Sequence, residues 1–195
     1  MSTYTIPTVF TQHPRGDRVT DVYSHLLTER IIYLGTAIDT GVAGALIAQL
    51  IFLESENPEA DVQLYVNCEG GDPGAMLAIY DTMRYIRPAV ATSCVGQAIG
   101  PGAVLLAAGT PGKRAALPHA RVVLHQPAAQ GRGAIPDLIL QADEVVRIRA
   151  EIEGVLARHT GQSVETLRAD TDRDRVFTAE AARDYGLLDE VIEVR

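Results

Sequence analysis

Three short stretches carry the residue types that acyl transfer needs. The first is Gly96 to Gly102, where an apolar run ends in Gly100-Pro101-Gly102 and a helical pattern begins. Such a strand-to-helix elbow is where an acyl-transfer enzyme stands its nucleophile. Here a glycine occupies the tip, and an ordinary glycine turn describes the segment better than any active reading. The second is Val122-Val123-Leu124-His125-Gln126-Pro127. A histidine closing an apolar strand suits a general base oriented by a carboxylate, and it also suits a hydrogen-bonded structural residue. The third is Tyr65-Val66-Asn67-Cys68-Glu69-Gly70-Gly71-Asp72-Pro73-Gly74, where a strand ends. Paired glycines free the backbone there, and Asp72 with Pro73 reads as an N-cap and first helical residue. Exposed N–H groups at such a turn can receive negative charge, although most glycine pairs simply make a tight turn. A fourth segment, Asp170-Thr171-Asp172-Arg173-Asp174-Arg175, alternates in sign and by itself reads as a solvated, salt-bridging face.

The elements that must hold these stretches alternate in type. Ile31 to Leu34, Val62 to Val66, Val90 to Val95 and Arg121 to His125 read as strands. Ala43 to Glu54, Gly74 to Ile86 and Gly102 to Ala108 read as helices. This order predicts an α/β domain with a largely parallel sheet and crossover helices, whose strands are apolar because helices cover them. Pro136 to Thr160 predicts a helix about 35 Å long at ~1.5 Å per residue. Leu138, Ile139, Ala142, Val145, Val146, Ile152, Val155 and Leu156 form its apolar stripe. Asp143 with Arg147, Arg147 with Glu151, and Arg149 with Glu153 stand at the spacing of helical ion pairs. A stripe that reaches both ends of so long a helix implies either packing on another subunit or a helix lying flat across the sheet.

Composition narrows the function classes. The chain has 195 residues, enough for one domain with its own core; 47% are hydrophobic and 5% aromatic, so Ala, Val, Ile and Leu must build that core. The net charge of −8 argues against nucleic acid or an anionic membrane as partner. Lys113 is the single lysine among 17 basic residues. Cys68 and Cys94 lie in apolar runs and read as buried thiols in a reducing compartment. The N-terminus lacks a signal-peptide pattern and no apolar run reaches the ~20 residues of a membrane span, so a soluble, cytoplasmic protein is expected.

Taken in order, the segments resemble ClpP, the proteolytic subunit of the Clp protease. The likeness runs from Pro7 to Ile192 through Arg15-Gly16-Asp17-Arg18, Asp21-Val22-Tyr23-Ser24, Glu29-Arg30-Ile31-Ile32, Phe52-Leu53-Glu54, Ile79-Tyr80-Asp81-Thr82-Met83, His125-Gln126-Pro127, His159-Thr160-Gly161-Gln162 and Tyr185-Gly186-Leu187. The resemblance implies a crotonase-like β-α-β superhelix with a protruding handle helix and a Ser-His-Asp triad. It divides the single domain 1–195 into an axial segment (1–19), a head (20–125 and 161–195) and a handle (126–160). It implies heptameric rings stacked in pairs, docking of a Clp-family ATPase, and neither cofactor nor metal. Carried over by position, His125 and Asp174 are triad remnants, and Gly71 is one oxyanion donor. Gly100 stands where the family has its serine. Pro101 stands where a second N–H belongs, and proline has none. Tyr65, Tyr85, Leu117 and Ile192 match the cleft that receives the ATPase loop, where Gln63 and Ser93 depart from the apolar pattern. Asp172 and Arg173 match oligomer contacts. Ala128-Ala129-Gln130-Gly131-Arg132-Gly133 departs from the strand that pairs with substrate backbone and keeps the rings in register.

The resemblance therefore implies a ClpP-like subunit without its nucleophile, one that assembles with an active ClpP paralogue. In an unrelated serine protease, removal of the serine costs about six orders of magnitude in turnover. Two alternatives stand beside this expectation. One is a hydrolase that uses an activated water or a substitute nucleophile, with Cys68 the least implausible and Ser93 and Cys94 behind it. The other is a crotonase-like enzyme of acyl thioesters.

Overall fold

The computed structural model of the chain describes residues 5–11, 18–127 and 131–193. Residues 15–17 of the arginine-glycine-aspartate motif, and Ala128 to Gln130 of the departing strand, lie outside the described residues. In chain order the elements are β1 (Thr8–Thr11), β2 (Arg18–Asp21), α1 (Val22–Thr28), β3 (Ile31–Leu34), α2 (Thr40–Glu56), β4 (Val62–Cys68), α3 (Pro73–Tyr85), β5 (Val90–Ile99), α4 (Pro101–Ala107), β6 (Arg114–Ala116), β7 (Arg121–Leu124), α5 (Ile135–Thr160), α6 (Val164–Asp170), β8 (Arg175–Thr178), α7 (Ala179–Tyr185) and β9 (Glu190–Val191).

The expected strands and helices form; α2, β4 and β5 run longer than expected, α3 and α4 are shifted by one residue, and β7 ends one residue sooner. Asp39 starts α2 by accepting from the Val42 N–H at 2.7 Å, and Asp72 starts α3 by accepting from Ala75 N–H at 2.7 Å. The strand read as Val90 to Val95 runs on to Ile99, because its far half gains a partner of its own. The main sheet has the order β3-β4-β5-β6-β9. Along one edge β5 pairs first with β6, through Thr92 to Cys94, and then with β7, through Gln97 to Ile99. All pairings in this sheet are parallel except β7 with β8. That antiparallel pair and the separate β1–β2 hairpin were not foreseen in the sequence.

The core sits beneath one face of the sheet. In α2, Ala43, Leu46, Leu50 and Leu53 are buried at three- and four-residue steps. Along β4, Val62, Leu64, Val66 and Cys68 are buried, while Gln63, Tyr65 and Asn67 between them are half-buried. Helix cover is thus uneven: β6 and β7 bury consecutive residues, whereas strict alternation leaves one face of β4 partly open within this chain. Burying each aliphatic side chain contributes on the order of 1.5–3 kcal/mol, which is what holds the crossovers down.

Two arginines tie loops to this core. Arg30 has φ 62°, and its guanidinium donates to the carbonyls of Leu53, Asn57, Ala60 and Asp61, at 2.8–3.0 Å. Arg114 is buried and ion-pairs with Asp189 at 2.6 Å; its Nη1 donates to the carbonyls of Ala107, His159 and Gly186.

α5 has two unlike halves. Its inner turns bury Ile152, Val155 and Leu156, with Glu153 between them held by Arg149 and Arg168. Burial opposes ionisation of Glu153, but hydrogen bonds from Arg168 and Arg149 outweigh it and hold the carboxyl below its usual range. Its outer turns expose Ile135, Leu138, Ile139, Leu140 and Val146. Of the expected ion pairs, Arg147–Glu151 and Arg149–Glu153 form. Arg147 takes Glu144 rather than Asp143 as its other partner, since Glu144 reaches its guanidinium with both oxygens. No helix among the described residues is long and apolar enough to cross a membrane.

Candidate active site

β5 ends at Ile99, and the chain turns sharply into α4 through Gly100. The turn has φ 48° and ψ −109° at Gly100, with Pro101 as the first helical residue. Backbone of this kind is costly for a residue with a side chain. It is the sharp strand-to-helix elbow expected from the sequence. The Gly100 N–H donates to the Val123 carbonyl at 2.8 Å, which fastens the tip to β7, and β7 delivers His125 one residue beyond its end.

The elbow and the histidine meet closely. A Cβ placed on Gly100 would lie 2.5 Å from His125 Nε2 and 2.8 Å from Cε1. The imidazole thus occupies the space that a side chain at this position would fill. His125 Nδ1 lies 3.0 Å from the Gln126 carbonyl. A carbonyl only accepts, so Nδ1 carries the proton and Nε2 is the nitrogen that faces Gly100.

Asp174 is not brought to this imidazole. It is exposed, and the contact that orients the ring comes from the Gln126 backbone instead. Gln126 is itself held by the acidic loop: its N–H donates to the Thr171 carbonyl at 2.9 Å and its Nε2 to the Asp172 carbonyl at 3.0 Å. These bonds use the loop's backbone; the Asp172 and Asp174 side chains stay exposed, whereas Asp170 is half-buried, accepting from the Tyr185 hydroxyl at 2.7 Å and pairing with Arg175. Asp172 and Arg173 form only an exposed pair at 3.8 Å.

Gly71 closes the other side. It has φ 134°, and a Cβ there would lie 2.2 Å from the Ile38 carbonyl oxygen, so the turn admits only glycine. Ile38 donates to Gly70 O and accepts from Asp72 N–H, which leaves the Gly71 N–H without a protein partner among the described residues. Gly71, Gly100, Pro101 and His125 line a cavity of about 150 Å³ together with Pro73, Val104, Leu124, Pro127, Ile152 and Leu156. None of these lining residues carries a hydroxyl, a thiol or a carboxylate. Pro73, Leu124, Ile152 and Leu156 were not foreseen as site residues. The stripe of α5 pointed to Ile152 and Leu156, but no periodicity says which neighbour a stripe faces.

The substitute nucleophiles are disposed for packing. Cys68 is buried, its Sγ lies 3.2 Å from the Gly70 carbonyl, and burial pushes its thiol up. Cys94 is buried and shifted the same way for the same reason. A reactive thiol needs the opposite shift. Ser93 is half-buried on β5, beside Tyr65 in the sheet.

Three of the four cleft residues lie on or beside neighbouring strands. Tyr65 pairs in register with Ser93, Leu117 follows β6 and Ile192 follows β9, joined by Leu117 N–H to Cys94 O and Ile192 N–H to Ala116 O. Tyr85 is 82% exposed and lines a separate depression with Ile51, Pro58 and Arg87.

Comparison with known proteins gives a consistent result. A family model described as Clp protease matches residues 14–195. The chain is 69% identical to the ATP-dependent Clp protease proteolytic subunit 1 of Nocardia farcinica (strain IFM 10152), over 196 aligned residues covering all of both chains. It is 55% identical over 192 residues to proteolytic subunit 4 of Rhodococcus jostii (strain RHA1), covering 98% of this chain and 99% of the relative. It is also 55% identical over 196 residues to proteolytic subunit 2 of Streptomyces avermitilis, covering 100% of this chain and 98% of the relative.

Proposed function

This chain belongs to the Clp protease family, and from that premise we propose that it is a ClpP-like proteolytic subunit that has lost its own nucleophile. Its role is to build heptameric rings with an active ClpP paralogue and so modulate ATP-dependent proteolysis, with a Clp-family ATPase docking on the assembly. One observation carries this reading. At the elbow where acyl transfer needs a hydroxyl, Gly100 presents none, and the His125 imidazole fills the vacant volume.

The chemistry follows from that corner. An acyl-enzyme forms when a side-chain oxygen attacks the scissile carbonyl and a base takes its proton. His125 keeps the orientation of a base, but the cavity lining offers it no hydroxyl or thiol to deprotonate. Water activated by His125 would place negative charge on the carbonyl oxygen. Gly71 supplies one N–H for that charge and Pro101 supplies none. A missing donor of this kind costs about 3–4 kcal/mol of transition-state stabilisation where the rest of the machinery is intact. The expected turnover of this chain alone is therefore negligible.

Assembly is supported by what the chain leaves uncovered. Ile51 and Phe52 on α2, and Ile135, Leu138, Ile139 and Leu140 on α5, are exposed large apolar residues. Apolar surface gathered in this way marks interaction sites. The outer half of α5 is the handle in this reading, and it meets the opposite ring.

Native mass spectrometry of tagged protein isolated from its own cells tests the assembly. Mixed rings with an active paralogue are expected, and rings of this chain alone would remove the mixed-complex reading. A fluorogenic-peptide assay on the purified chain tests the chemistry. Turnover that His125→Ala abolishes would overturn the loss of catalysis.

A further inference from the structure

The cavity beside His125 keeps the parts for binding while lacking the part for cutting. Its walls are apolar, from Pro73, Val104, Leu124, Ile152 and Leu156, and its volume of about 150 Å³ matches an apolar void known to admit a benzene-sized guest. At its polar end are two groups free to meet a ligand. One is the Gly71 N–H, which bonds to no protein group among the described residues. The other is His125 Nε2, since Nδ1 is committed to the Gln126 carbonyl. With no side chain at Gly100, His125 lines the cavity beside it directly.

We infer that this corner holds the free C-terminal carboxyl group of peptides that end in an apolar residue. The last side chain enters the apolar cavity. One carboxylate oxygen accepts from Gly71 N–H, and the other accepts from His125 Nε2, the ring taking one proton from water as the anion binds. A carboxyl group matches this pair of partners. An internal peptide carbonyl has one oxygen to place, finds no second backbone donor at Pro101, and has no negative charge with which to favour a proton on Nε2. A hydrogen bond between ionised partners is about twice as strong as a neutral one. The inference rests on the reading that the chain does not hydrolyse acyl groups; its ligand is then the kind of product that an active neighbour in the same chamber releases.

The test uses the intact chain and two fluorescein-labelled tripeptides ending in leucine, one with a free carboxyl group and one as the methyl ester. Anisotropy titration is expected to show the acid binding about tenfold or more tighter than the ester, the ratio that one charged hydrogen bond confers. His125→Gln is expected to erase most of that ratio while leaving weak binding of both. Equal affinity for acid and ester would overturn the inference without the need of any variant, as would a ratio that His125→Gln leaves untouched. Mass analysis of the recovered peptides separates the two levels of the argument. An ester returned as acid means that the chain is a hydrolase, and the proposed function fails; an intact ester bound as well as the acid means that only the carboxyl site fails.

Discussion

Two histidines meet the inner end of α5, and their surroundings differ in every respect. His159 is the penultimate residue of that helix. The Tyr80 hydroxyl shares a hydrogen bond with its Nε2 at 3.2 Å while accepting from Arg158 at 2.9 Å, and its carbonyl accepts from Arg114. Burial, then the positive charges of Arg84, Arg114 and Arg158, depress its pKa to about 4, so it stays neutral across the physiological range. His125 faces the same helix across the cavity from Ile152 and Leu156, with one backbone partner and one nitrogen left open. The same side chain is a closed structural part in one place and an unspent reactive group in the other. What separates them is the number of committed partners, which is a property of the fold and not of the residue type.

Arg114→Ala strikes hardest at the closed corner. It leaves Asp189 without its cation and three carbonyls without a donor, and a loss of about 3 kcal/mol is expected from the urea unfolding midpoint. If stability is unchanged, the two corners are equally loose and the contrast dissolves. Gly100→Ser comes next. A side chain forced into φ 48° against the imidazole is expected to cost about 1–2 kcal/mol in thermal unfolding. No peptidase activity should appear, because Pro101 still lacks an N–H and Asp174 remains away from the ring. Robust cleavage of a fluorogenic peptide by this single variant would show that the corner lacks nothing but the hydroxyl.

His159 makes the stability depend on pH. The unfolded chain protonates His159 near its ordinary 6.5, whereas the folded chain resists until about 4. The stability that this group contributes is complete above pH 6.5 and is lost as pH falls toward 4. His159→Gln should flatten that part of a stability-against-pH curve; an unaltered curve would place the proton elsewhere. His125→Ala should have the smallest effect, a change below about 1 kcal/mol, since a single hydrogen bond is removed with a half-buried ring. A larger loss would mean that His125 is as structural as His159.

Much of the scaffold was legible in the sequence. Strands such as Val62 to Val66 and helices capped by Asp72-Pro73 follow from apolar runs and capping chemistry, which are local. β8 and α7 escaped notice because Arg175 to Thr178 is short and its pairing with β7 is a distant contact. Arg114 looks like any surface arginine until Asp189, His159 and Gly186 close around it. At the site, Gly100 and Pro101 were conspicuous because a missing hydroxyl and a missing N–H are readable from residue type alone. The nearness of His125 to Gly100 was not, since it depends on β7 lying beside the end of β5. Nor was the role of Gln126, whose backbone takes the place at Nδ1 expected for Asp174.

Arg30 shows how such a scaffold restricts its own future. The position asks for a backbone in the left-handed region and for donors that reach four carbonyls at once. Glycine would relax the first demand and abandon the second. Lysine carries the charge as a single point and cannot span four acceptors with a planar fork. Asparagine tolerates the backbone but is too short to reach the end of α2. No single replacement satisfies both demands, so any lineage that alters this residue must first rebuild the loop between α2 and β4.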